Sequence, residues 1–195
     1  LLSEIDGSLE RLQTDYIDIW QLHWPDPKTP IEETCEALAE IKESGKIRYI
    51  GLSNFAQKDM EVFDKLVGVD TQQGLYNMFE RNAASYHNIP LQYKTEDEML
   101  PNVHRLGQGF LPYSPMFQGL LAGRFTRNHT FSAHDIRNEN PKFSGELYQT
   151  YYDGYEKLKK LADEMGHPTN EIAGNWLRQN PDEPTIIGGA STGEQ

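Results

Sequence analysis

A single cysteine, Cys35, stands in 195 residues, so no disulfide can form within the chain. Its place on the apolar side of an expected helix makes it a small core residue. So low a cysteine content fits a reducing, cytoplasmic setting. No apolar run approaches the ~20 residues that a bilayer-crossing helix needs, and the N-terminus has no signal-peptide pattern. A soluble protein with no membrane partner is expected. Basic charge is scarce as well: 18 Lys and Arg face 30 Asp and Glu, for a net charge of −12. Nucleic-acid binding needs clustered Lys and Arg against phosphates, so no nucleic-acid partner is expected. A phosphorylated cofactor, which needs only a few local donors, stays open. Internal repeats and low-complexity tracts are absent.

What is present suits one globular domain over residues 1–195, long enough to bury a sizeable core. The chain opens in a helical pattern, with Leu2, Ile5, Leu9 and Leu12 spaced by three and four. Tyr16–Trp24 is aromatic and β-branched, stops at Pro25, and reads as a strand. Period two places Ile17, Ile19, Gln21 and His23 on one face. Thr29, Pro30 and Glu32 read as a capping box opening a helix that runs to Ser44 and buries Ile31, Cys35, Leu38 and Ile41, with Gly45 closing it.

A strand at IRYIGLSN follows, then a helix at QKDMEVFDKLV and a strand at VDTQQGLYN. A helical stretch at about 97–106 leads to a strand at GQGFLPYS. The polar segment from Arg124 to about Gly145 lacks periodicity and reads as a lid, a binding loop or a disordered connection. Two helices come next, one through Tyr155, Leu158, Leu161 and Met165, the other from about Thr169 through Trp176 and Leu177. PTIIGG is a fifth strand. Alternating strands and helices predict a parallel sheet with right-handed crossovers, whose function collects at the carboxyl ends of its strands. Those ends are His23, Ser53 with Asn54, Gln73 to Asn77, Tyr113 with Ser114, and Gly188 to Ser191.

DYIDIWQLHWPDP, EALAEIKESGKIRYIGLSNF, QQGLYNMFER, PYSPMFQGLLAGRF and IIGGASTGEQ together, in this order and spacing, resemble the aldo-keto reductases. The resemblance covers essentially the whole chain. It implies an α/β fold, a TIM (β/α)8 barrel of which about five strands are present. It also implies NADP(H) held across the carboxyl face and hydride transfer between nicotinamide and a small-molecule carbonyl substrate, an aldehyde, ketone or sugar-like compound. The N-terminus begins within a helix and GGASTGEQ ends as a helix opens, so both ends read as interrupted. The resemblance places the family's catalytic aspartate, tyrosine and lysine before Leu1, which predicts that a polypeptide of this sequence alone is a poor catalyst.

The same resemblance assigns individual roles. A lone histidine is usually structural, but at this strand end His23 is expected to orient the substrate carbonyl. A metal site is not expected, since no second ligand lies at helix or strand spacing. Ser53, Asn54 and Gln73 could be turn chemistry, and the resemblance makes them hydrogen-bond partners of the carboxamide. Tyr113 matches the aromatic that stacks on the nicotinamide ring, not the proton donor. Ser114, Pro115, Met116, Phe117 and Gln118 match the loop around the pyrophosphate, and Arg124 the basic residue beyond it; Arg124 and Arg137 by themselves read as surface charges, and both are expected to bind the cofactor. Gly189, Ser191 and Gln195 match the adenosine-phosphate corner at a helix N-terminus. Many members carry an arginine where Gln195 stands, which narrows the expected preference for NADP over NAD. Two other readings share the fold pattern: a non-catalytic nucleotide-binding regulatory subunit like the potassium-channel β subunits, and an inactive gene fragment. The β subunits depart from histidine at the position of His23, which favours the enzyme.

Overall fold

The apolar spacing of the first twelve residues does produce a helix, α1 (Leu2–Leu12), closed by Gln13 in the left-handed region. Only Ile5 of its apolar stripe is fully buried, while Leu2 and Leu12 stand exposed. The computed structural model describes residues 1–179, 185–190 and 192–193. After α1 come β1 (Ile17–Leu22), α2 (Ile31–Glu43), β2 (Ile47–Ser53), α3 (Gln57–Val67) and β3 (Thr71–Leu75). A two-stranded hairpin, β4 (Ser85–Tyr86) and β5 (Ile89–Pro90), precedes α4 (Leu100–Leu106) and β6 (Gly109–Tyr113). The chain then runs through α5 (Gly145–Met165) and α6 (Thr169–Arg178).

The strands pair in the order β1-β2-β3-β6, all parallel. Thr185 and Ile187 donate backbone N–H groups to the carbonyls of Phe110 and Pro112, at 3.2 and 3.3 Å. The expected fifth strand thus lies along β6 in the parallel sense, without forming a regular ladder. One sheet face carries Ile50, Leu52, Gln72 and Phe110, buried under Ile5, Cys35, Leu38, Ile41, Met60 and Phe63 of the helices. On the other face Ile19 and Tyr49 are register partners and are 41% and 50% exposed. Gly51 lies on that face between Gln21 and Thr71. A Cβ there would come within 2.5 Å of both side chains, and Gln21 Nε2 crosses the gap to Thr71 Oγ1 at 3.3 Å.

One local expectation is corrected and two are refined. The helix at Ile31 has no side-chain cap. Thr29 instead gives its hydroxyl to Asp26, 2.8 Å away, because that carboxylate already organises the turn through the N–H of Lys28. The helix before Gly166 begins at Gly145 and buries Tyr148, Tyr155, Leu158 and Ala162, leaving Leu161 and Met165 exposed. The aperiodic connection at 124–145 is not loose. Two short turns at Ile136–Glu139 and Pro141–Phe143 shape it, and Phe125, Phe131 and Phe143 bind it into an aromatic cluster with Phe117, Tyr148 and Tyr155.

Candidate functional site at the carboxyl ends of the strands

Asn54 follows the last residue of β2 with φ 66°, a left-handed conformation that asparagine accepts more readily than most side chains. Its backbone N–H donates to the carbonyl of Gln73 at 3.2 Å. Its amide Nδ2 donates to the His23 carbonyl at 3.1 Å and to Ser53 Oγ at 3.0 Å. Its Oδ1 accepts from the hydroxyls of Tyr93 and Tyr113, both at 2.9 Å. One buried residue therefore joins four of the expected positions, from four neighbouring strand ends.

Tyr93, which periodicity did not single out, completes the arrangement. It is buried, donates to Asn54, and accepts the backbone N–H of Leu75 at 3.1 Å. Burial pushes the Tyr93 phenol up. Burial also pushes the Tyr113 phenol far above its usual range, and the neighbouring Tyr93 adds to this. Both hydroxyls stay protonated and aimed at Asn54.

Two strand-end side chains, His23 and Gln73, are uncommitted among the described residues. The His23 side chain is exposed, edge-on to Trp24 with ring centroids 6.2 Å apart, and makes no hydrogen bond among the described residues. The Gln73 amide is half-buried and likewise unbonded among the described residues. A cavity of about 980 Å³ opens beside this group, lined by Leu22, Trp24, Pro25, Asn54, Phe55 and Ile89 among others. It takes in Asn54 but not His23, Ser53, Gln73 or Tyr113, so the five expected residues share a hydrogen-bonded cluster rather than one pocket.

Beyond β6 the backbone turns sharply. Ser114, Phe117 and Gln118 have φ of 54°, 45° and 51°; such conformations cost energy in ordinary residues and gather where a ligand is gripped. Pro115 and Phe117 are buried, the Phe117 ring stacked on Phe143 at 5.4 Å, so the side chain of Phe117 belongs to the core. Ser114, Met116 and Gln118 stay half-buried at the surface of the turn.

The two arginines differ. Arg124 is exposed, its stem against Gly119, and it has no acidic partner among the described residues. Arg137 is engaged by Asp135 through Nε at 2.8 Å and NH2 at 2.5 Å, and by the Gln118 carbonyl at 3.0 Å. It also lies over the rings of Phe125 and Phe131. Gly189 is exposed, while Ser191 and Gln195 lie outside the described residues.

Sequence reasoning also missed the hairpin. Tyr86 meets the Tyr113 ring edge-on at 5.1 Å, and His87 Nε2 lies 2.9 Å from Gln118 Nε2. Burial lowers the His87 pKa, which suits an imidazole nitrogen that accepts from the Gln118 amide.

This arrangement can be set beside known proteins. The chain is 37% identical over 191 residues to an aldo-keto reductase, YhdN, of Bacillus subtilis, covering 97% of this chain and 54% of that protein. It is 33% identical over 197 residues to a probable voltage-gated potassium channel subunit beta of Arabidopsis thaliana, covering 97% of this chain and 57% of the other. Its fold matches the structure of a glycerol dehydrogenase from Gluconobacter oxydans with a TM-score of 0.84 at 32% identity, over 96% of this chain and 54% of that one. The chain thus spans about half the length of the relatives it matches, and its parallel sheet with outer helices is part of a TIM barrel of their type. The family model for the aldo/keto reductase family matches residues 1–195, and the chain belongs to that family.

Proposed function

We propose that these residues form the nicotinamide and pyrophosphate half of an oxidoreductase site that moves a hydride between NADP(H) and the carbonyl or alcohol group of a small aldehyde, ketone or sugar-like substrate. The observation that carries this reading is the Asn54 cluster. It fixes Ser53, Gln73 and Tyr113 at adjacent strand ends and leaves the Gln73 amide without a hydrogen bond among the described residues.

The donor set fits such a cofactor. Gln73 offers amide groups to a carboxamide, and Tyr113 offers an aromatic surface. The left-handed turn at Ser114–Gln118 brings half-buried Ser114 and Gln118 to the surface, where the Ser114 hydroxyl can meet an anion. Arg124 is an exposed cation with no acidic partner among the described residues. When bound, NADP(H) supplies or accepts the hydride. The chain's own residues bind and orient: the exposed His23 imidazole holds a carbonyl oxygen by a hydrogen bond, and the Asn54 cluster keeps that strand end in place. No residue of this site is assigned as the proton donor. Arg137 supports the site through Asp135 and the Gln118 carbonyl rather than as a free cation.

Thermal unfolding of the whole protein with nucleotide tests this reading. NADPH at a hundredfold excess over its dissociation constant should stabilise by roughly 2.7 kcal/mol through mass action, and NADH should stabilise less. Protection by neither nucleotide overturns the oxidoreductase reading. Protection without turnover of any carbonyl would favour the regulatory-subunit reading, which the potassium-channel relative keeps in view.

A further inference from the structure

Two charged side chains that the proposed chemistry does not use are buried in the loop layer. Glu80 is 6% exposed and Lys142 is 8% exposed, and they form an ion pair. Lys142 Nζ also donates to the carbonyl of Ser85, which opens the hairpin, at 2.6 Å. Asn77 Nδ2 donates to Glu80 Oε2 at 3.4 Å and to the Ser114 carbonyl at 3.2 Å. Asn77 Oδ1 in turn accepts the backbone N–H groups of Phe79 and Glu80. Lys142 is held in place by Asn140, whose Oδ1 accepts its backbone N–H at 3.1 Å. One buried knot thus ties together the loop after β3, the hairpin, the left-handed turn after β6 and the 141–143 turn.

Further bonds extend the same seam. Asn88 Nδ2 reaches the Glu139 carbonyl at 2.6 Å. Gln118 is gripped from both sides, by His87 at Nε2 and by Asn140 Nδ2 at Oε1, 3.1 Å. The hairpin and the 136–143 segment therefore close on Gln118 as a single rim.

A buried ion pair rarely stabilises a protein more than apolar side chains of the same volume. What it adds is direction: each charge accepts only particular partners in one geometry. We propose that the Glu80–Lys142 pair is a positioning element. It locks the hairpin and the 136–143 segment into one rim around the Ser114–Gln118 turn, and so controls how long a bound dinucleotide is retained, without touching it. This rests on reading that turn as part of the nucleotide cleft.

The test compares Lys142→Met with the double variant Glu80→Leu/Lys142→Met in the whole protein. The single variant strands a buried carboxylate and should melt earlier. The double variant removes both charges and should recover most of the melting temperature. Both should release NADPH about tenfold faster in stopped-flow fluorescence, and proteinase K should cut the 124–145 connection about tenfold faster in both. Recovery of the melt without recovery of retention separates positioning from bulk stability. Wild-type release rates and wild-type protease resistance in the double variant overturn the proposal. A wild-type protein that binds no nicotinamide nucleotide overturns the functional reading instead, and the protease arm still decides whether the pair locks the rim.

Discussion

Asn54 and Gln118 are a matched pair in most respects. Both have left-handed backbones, φ 66° and 51°, and both have side-chain amides whose nitrogen and oxygen are each engaged. They differ in where their partners come from. The partners of Asn54 are strand ends and two phenols, and sheet register alone brings most of them within reach. Those of Gln118 are loop residues 19–31 positions away, braced by the Arg137–Asp135 and Lys142–Glu80 ion pairs. Where a sheet supplies position, neutral hydrogen bonds are enough to complete a site. Where only loops are available, charge has to supply the geometry.

The largest expected effect follows from the first half of that contrast. Asn54→Ala removes the shared acceptor of the Tyr93 and Tyr113 hydroxyls, which at 3.4 Å can bond each other but leave one proton unpaired, and the donor to the His23 carbonyl. Each buried unsatisfied group costs on the order of 1–3 kcal/mol, and a left-handed alanine adds about 1–2 more. Asn54→Gly should recover the backbone part but not the side-chain part. For a chain of this size each kcal/mol lowers the melting temperature by about 2–4 °C, so calorimetry separates the two variants. A loss below about 1 kcal/mol for the alanine variant would show that the strand ends hold their places without Asn54.

Gln118→Ala should do much less to the melt, about 0.5–1.5 kcal/mol, since its side chain is half-buried and the ion pairs around it remain. Its effect should appear as faster hydrogen exchange confined to the hairpin and residues 136–143. Exchange that also quickens in β2 and β3 would show that the rim and the sheet are one unit, and the contrast would fail.

The same division explains what could be read in advance. Ser53, Asn54, Gln73 and Tyr113 were legible because period two and parallel register carry strand ends to one edge, and the family motifs mark the same positions. Tyr93, His87 and the Glu80–Lys142 pair were not. They sit in stretches without periodicity, and their contacts, 62 residues apart for Glu80 and Lys142, leave no local pattern. Thr29 shows a subtler failure. Its capping-box spacing was right, but Asp26, three residues earlier, was the stronger partner for its hydroxyl. Leu161 and Met165 keep helical spacing yet face outward, because Tyr148, Tyr155 and Leu158 turn the opposite side of α5 to the aromatic cluster.

The smallest expected effect concerns protons, and it should fall on one hub only. The titrating partners of Asn54 are phenols that burial pushes up, so acid leaves that cluster unchanged. The rim of Gln118 holds His87, whose pKa burial lowers below the ordinary 6.5, with Glu139 and Lys142 acting on it in opposite directions. It also holds Asp135, which the Arg137 guanidinium keeps at about 2. Both groups are depressed by folding, so each contributes stability that is present above its unfolded pKa and lost as pH falls. For His87 the loss begins as pH drops through about 6.5, where the unfolded chain takes up the proton first, and continues until the folded ring is protonated too and can no longer accept from the Gln118 amide. For Asp135 it begins only below the ordinary 3.8. Protease cutting of the 124–145 connection, measured from pH 8 down to pH 5 with a broad-range protease and normalised to an unfolded substrate, should therefore rise modestly below pH 6.5. His87→Asn should flatten that rise, because an amide cannot be protonated in this range. A wild-type rise that His87→Asn leaves intact would place the proton sensitivity elsewhere, and an equal rise in hydrogen exchange around Asn54 would erase the difference between the two hubs.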